Sequence, residues 1–196
     1  MHYVMTCEGQ YPIRTLTGAP DPDDLGTMSW WLGRKITTPI PEPLVYKLDT
    51  DIDPETGKPM RGNPKAMYDA DDPPVMREDL KAALWDAGVD NIDFYKAIVK
   101  DPLDGKELTN YWAFNVLGLV SCADMKKSKL MGTSQSQLLD VDFDSLVIDE
   151  KATMGFSFFR MAENISAIIV NDRVKEMVER HKIPGMVFYS SGQWSG

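Results

Sequence analysis

Two stretches of the chain carry helical spacing most clearly. Leu80, Ala83, Leu84 and Ala87 fall at i, i+3, i+4 and i+7, one face of a helix. Val174, Met177, Val178 and His181 repeat the spacing. Gly88 follows the first stripe, where a residue tolerant of a left-handed backbone can end a helix. Asn171 precedes the second, where its side chain can accept from an early backbone N–H. Each stripe leads into a β-branched and aromatic run, Ile92 to Val99 and Met186 to Tyr189. The segments 75–95 and 169–189 align without a gap at an offset of 94 positions. Leu80 meets Val174, Lys81 meets Lys175, Leu84 meets Val178, and Phe94-Tyr95 meets Phe188-Tyr189. The shared positions are the apolar stripe and the turn into the strand, while an exposed position differs, Trp85 against Glu179. A chance likeness of two amphipathic helices would produce the stripe alone; the ungapped strand match argues for a structural repeat. The two lysines sit beside the stripe, where a long stem lies along apolar surface and its charge reaches water.

The remaining pattern predicts short strands at His2 to Cys7, Leu44 to Leu48, Phe143 to Asp149 and Phe156 to Met161. Thr109 to Val120 predicts a strand forming a hairpin with Ile92 to Val99, across the turn Asp101 to Gly105. Three prolines between Ile36 and Pro43 favour extended, irregular chain. Pro20 to Asp24 and Gly132 to Gln137 read as loops, and Asp49 to Pro74 as a long one with short extended pieces. So long a loop in a compact domain is often functional. The expected architecture is a single α+β domain over 1–196. It is two-lobed, with a pseudo-repeated helix-strand unit and a mixed, largely antiparallel sheet.

Composition narrows the partners. No apolar run reaches the length that spans a bilayer, and the N-terminal stretch lacks the basic start and apolar middle of a signal peptide. We expect a cytoplasmic protein with no membrane partner. The formal net charge of −9 argues against nucleic acid, whose phosphates need a basic surface. It suits a basic protein partner through electrostatic steering, and it also suits solubility. Cys7 and Cys122 are the only cysteines, far apart, and are expected as buried thiols.

Tests for chemistry return little. Asp49, Asp51 and Asp53 alternate like a calcium loop, but Pro54 and Met60 stand where such a loop needs Gly and Glu. Asp140, Asp142 and Asp144 fail in the same way at Ser145 and Lys151. There are two histidines, His2 and His181, and no Gly-x-Ser-x-Gly elbow. Gly57-Lys58 is followed by Pro59, which removes an amide donor where a phosphate cradle would need one. The expectation is no catalytic residue, no metal and no cofactor.

The apolar motifs do resemble a family. They are Phe143-Asp-Ser-Leu-Val-Ile-Asp-Glu150, Phe158-Phe-Arg-Met161, Ile169-Val-Asn-Asp-Arg-Val-Lys175 and Ile183-Pro-Gly-Met-Val-Phe188. Pro74-Val-Met-Arg-Glu-Asp-Leu-Lys81, Gly88 to Phe94 and Trp112 to Leu117 fit as well. Together they resemble domain of unknown function 1629, an immunity-protein family of bacterial polymorphic-toxin systems, including contact-dependent and type VI secretion. The likeness spans roughly 44–190, with a looser part at 1–43. It departs at the helix caps, where the family's serine is Arg77 in one segment and Asn171 in the other; Arg77 is a poor cap, which leaves the first helix start open.

The resemblance implies a non-enzymatic immunity protein, monomer or homodimer, that neutralises a cognate toxin by stoichiometric occlusion. The candidate contacts are Trp30, Trp31, Asp49, Asp51, Asp53, Glu55, Asp69, Asp71 and Asp72, with the Gly132 to Gln137 loop. Ordinary solvent-facing loops, or core packing for the tryptophans, would account for the same residues. A hydrolase using carboxylates to reverse a toxin's modification and a structural adaptor are the alternatives.

Overall fold

The computed structural model describes residues 1–9, 11–17, 30–131 and 141–196. The loops expected at Pro20 to Asp24 and Gly132 to Gln137, and Asp140, lie outside them. Among the described residues the chain is mostly sheet, with two helices. The strands are β1 (His2–Cys7), β2 (Leu16–Thr17), β3 (Leu44–Leu48), β4 (Met67–Tyr68), β5 (Val75–Arg77), β6 (Ile92–Lys100), β7 (Glu107–Val116), β8 (Leu119–Val120), β9 (Lys129–Leu130), β10 (Phe143–Ser145), β11 (Phe158–Met161), β12 (Ile168–Asn171) and β13 (Met186–Ser190). The helices are α1 (Glu78–Asp86) and α2 (Asp172–Arg180).

Two mixed sheets carry the fold. One has the order β2-β3-β6-β7-β5-β4, antiparallel except between β3 and β6; the other runs β13-β1-β12-β11-β8, antiparallel except between β11 and β8. β9 and β10 form a separate pair. Alternation along the strands sorts the apolar side chains into three clusters. The central one takes Met5 and Cys7 from β1, Phe114 and Val116 from β7, Phe158 from β11, and Ile168 and Val170 from β12. Both helices lay their stripes into it, through Leu80, Ala83 and Leu84 and through Val174 and Val178. The opposite face of the β6–β7 sheet packs Tyr46, Ala97, Val99 and Tyr111 under Trp30 and Ile36. The opposite face of the β1–β12 sheet packs Val4, Phe159 and Ile169 with Phe143, Leu146 and Trp194. Both thiols are buried and free.

The 75–95 and 169–189 segments each fold as strand, helix, strand, and the bounds of α1 and α2 differ by 94 positions at both ends. In each, a third strand lies antiparallel between the two. β7 separates β5 from β6, with Trp112 opposite Met76 and Lys96; β1 separates β12 from β13, with Tyr3 opposite Val170 and Ser190. The helix caps differ. Asn171 Oδ1 accepts from Val174 N at 3.1 Å, whereas Arg77 makes no cap bond, yet α1 begins directly after it. Arg77 instead pairs with the Asp79 carboxylate at 2.8 and 2.6 Å.

Three strand expectations need correction. The strand read as Thr109 to Val120 breaks after Val116. Gly118 takes a φ of 150°, which side-chain-bearing residues rarely adopt, and β8 then joins the other sheet beside β11. The strand read as Phe143 to Asp149 ends at Ser145 because the C-terminal segment takes over its hydrogen bonds. Leu146 N donates to Trp194 O at 3.1 Å, and Ile148 N to Ser191 Oγ at 2.9 Å. The strand read from Phe156 starts at Phe158.

The helix stripes set the stability. Leu84→Ala should lower the unfolding free energy by about 3 kcal/mol, and Asn171→Ala by about 1 kcal/mol. Denaturant titration of both variants checks the ranking.

Candidate functional site

The connection between β4 and β5 holds the acidic turn Asp69-Ala-Asp-Asp72. It is pinned at its far end: the Tyr46 hydroxyl donates to Pro73 O at 3.2 Å and Phe114 N to Pro74 O at 3.0 Å. All three carboxyls are half-buried, and burial pushes each above the ordinary aspartate range. Lys65 and Arg160 oppose that rise at Asp69, Lys65 at Asp71, and the Trp31 indole at Asp72.

Behind this turn lies a cation with few partners. Arg160 projects from β11, whose other residues here are Phe158, Phe159 and Met161, and has no exposed surface. Its Nη1 donates to Ile165 O at 2.8 Å, and its guanidinium carbon lies 4.4 Å from the Trp31 ring centre. Among the described residues Nε and Nη2 have no hydrogen-bond partner. Burial pulls its pKa down to about 10, with Asp69 opposing, so it stays charged at neutral pH. Trp31 and Asp69 thus flank one buried positive charge, and Asp72 joins them through the Trp31 indole.

The other predicted acids belong to a separate excursion, 49–60, closed by a bridge between Ile52 and Pro59. Asp49, Asp51 and Glu55 are exposed. Asp53 instead holds the turn, accepting from Glu55 N at 2.8 Å and Thr56 N at 3.1 Å, which keeps its carboxyl below the usual range. Beside the excursion, Arg14 donates to Asp101 through two bonds of 2.7 and 2.8 Å and to Asp49 O at 3.2 Å. This pair floors a cleft of about 400 Å³ with Tyr11, Arg61 and Lys106 on its walls.

Trp30 is a correction. It is fully buried, 5.2 Å from Tyr95 in an edge-to-face pair, and offers no surface to a partner; Trp31 beside it is half-buried. An apolar segment capping the β6–β7 sheet needs one large ring inside, and adjacent residues in a 3₁₀ turn cannot share one direction. Arg160 was missed as a site residue. Its only signal was an arginine inside an otherwise apolar strand.

The described residues thus define a β-rich scaffold carrying half-desolvated carboxylates on its loops. The sequence profile of the immunity protein family Imm11 matches residues 75–193, more than half the chain, so the chain belongs to that family. This agrees with the resemblance to an immunity-protein family, and it covers both strand–helix–strand segments. No curated protein matches the chain.

Two substitutions separate the two kinds of carboxylate. Arg14 holds the Asp101 pKa down, so Asp101 stabilises the fold above its unfolded pKa and ceases to do so as pH falls through its folded one. Asp101→Asn strands a buried guanidinium and should cost roughly 3 kcal/mol at pH 7, with the deficit shrinking in acid. Asp71 has the opposite sign: its pKa is raised, so its charge destabilises the fold at neutral pH. Asp71→Asn should stabilise at pH 7 and be neutral once pH lies below both pKa values. Urea midpoints across pH test both.

Proposed function

We propose that this chain neutralises a cognate toxin by stoichiometric occlusion, in the cytoplasm of the producing cell, as one domain. Membership of an immunity protein family carries the reading. The electrostatics support a contact surface on the acidic loops. Asp49, Asp51 and Glu55 project from one loop, Asp71 and Asp72 from another, on a chain of net charge −9. Carboxylates already partly stripped of water lose less on meeting a cation, so the 69–72 turn favours a basic toxin surface. The strand–helix–strand units at 75–95 and 169–189 are inferred to be copies of one scaffold unit that presents these loops.

Co-expression with the toxin encoded beside this gene tests the proposal. Wild-type protein should restore growth and co-purify at one copy per toxin. Asp51→Lys with Asp71→Lys should slow association about tenfold or more, with a weakened salt dependence. Failure both to rescue growth and to co-purify would sink the reading.

A further inference from the structure

Beside α1, two lysines meet on one aromatic ring. Lys81 Nζ lies 3.3 Å from the centre of the Trp112 ring and 4.7 Å from that of Phe94. Lys96, directly opposite Trp112 in the β6–β7 register, places its Nζ 4.1 Å from the same ring. Two ammonium groups therefore converge on one indole, and among the described residues neither has a carboxylate within ion-pair distance. Glu78 acts on Lys81 only through its field. One turn along α1, Trp85 is 69% exposed and shares a shallow cleft with Lys81, Ala82, Glu78 and Asp86.

The corresponding place in the other unit shows what is unusual here. Lys175, 94 positions on from Lys81, lies over Tyr3 at 4.6 Å, and Tyr3 has the register of Trp112. There the residue four positions further along the helix is Glu179, 3.7 Å from the lysine, and the strand residue opposite the ring is Ser190. On α1 those two positions are Trp85 and Lys96. The α2 unit carries a neutralised lysine; the α1 unit carries an exposed indole beside Lys81, which shares the Trp112 ring with Lys96.

We propose that the Trp85–Lys81–Trp112–Lys96 face is a second contact surface, whose occupant is an acidic segment of the toxin bearing an apolar side chain. The inference rests on the toxin-binding reading and names a surface distinct from the acidic loops, where two lysines without an ion pair among the described residues share the Trp112 ring and Glu78 and Asp86 line the cleft beside Lys81. A carboxylate placed between the lysines relieves their mutual repulsion, and an apolar side chain covers Trp85, an anchor of the residue type that dominates interface energetics. A second copy of the chain is disfavoured, because an isologous contact would set lysine against lysine. Nucleic acid is disfavoured because the cationic face is small on a chain of net charge −9.

Two arms test it on the full chain. In the first, a peptide of alternating glutamate and leucine is titrated against protein labelled at its indole nitrogens, with a lysine–leucine twin and an oligouridylate as comparators. The acidic peptide should move the Trp85 and Trp112 signals, and Lys96→Glu should abolish the movement. No movement, or a stronger response to the oligouridylate, overturns the proposal. In the second arm, toxin affinity should fall roughly 30-fold in Trp85→Ala and about tenfold in Lys96→Glu, with thermal melting unchanged. Wild-type affinity in both variants overturns the second surface while leaving toxin binding intact. Loss of binding by the wild-type chain itself would strike the toxin reading, and the peptide arm still decides the surface.

Discussion

The fold depends on two short helices sharing one apolar core. α1 and α2 are nine residues each, too short to persist alone in water. Each becomes stable by burying its stripe where the two sheets face each other, against Met5, Phe114, Phe158 and Ile168. The helices also meet: His181 Nε2 lies 2.9 Å from Asp86 Oδ2 across their ends. Because both sheets contribute to this core, the strands next to the helices are fixed in register. The loops between them are then positioned from both ends.

This division separates structure from interaction. The 69–72 turn is clamped by hydrogen bonds to Pro73 and Pro74, so its carboxyls sit half-buried at a fixed place. Ordering them costs the free protein through desolvation, and Arg160 behind Asp69 offsets part of that cost. Arg160 is itself held by a single carbonyl and the face of Trp31, and among the described residues its Nε and Nη2 donors find no acceptor. The structure thus tolerates electrostatically unfavourable groups next to the surface read as functional, as binding sites commonly do.

Local pattern made the helix–strand units legible almost to the residue, because period and capping are short-range signals: the 80, 83, 84, 87 stripe and the Asn171 cap are both present in the structure. Long-range placement was not legible. Nothing near His2 to Cys7 indicates that β1 inserts between β12 and β13, at the far end of the chain. The break at Gly118 was hidden in a continuous apolar run that two sheets divide between them. Within the candidate contacts, the acids of 49–55 and 69–72 were visible from composition, but which of them are exposed depends on turn geometry, as Asp53 shows. The burial of Trp30 and the pairing of Lys81 with Trp112 depend on residues distant in sequence.

Amide hydrogen exchange of the chain, alone and bound to its toxin, addresses the central claim most directly. The account predicts added protection in 49–60, 69–72 and the outer turn of α1, with the α1–α2 core equally protected in both states. Added protection confined to the β9–β10 pair and the C-terminal segment, with none in those loops, would contradict it.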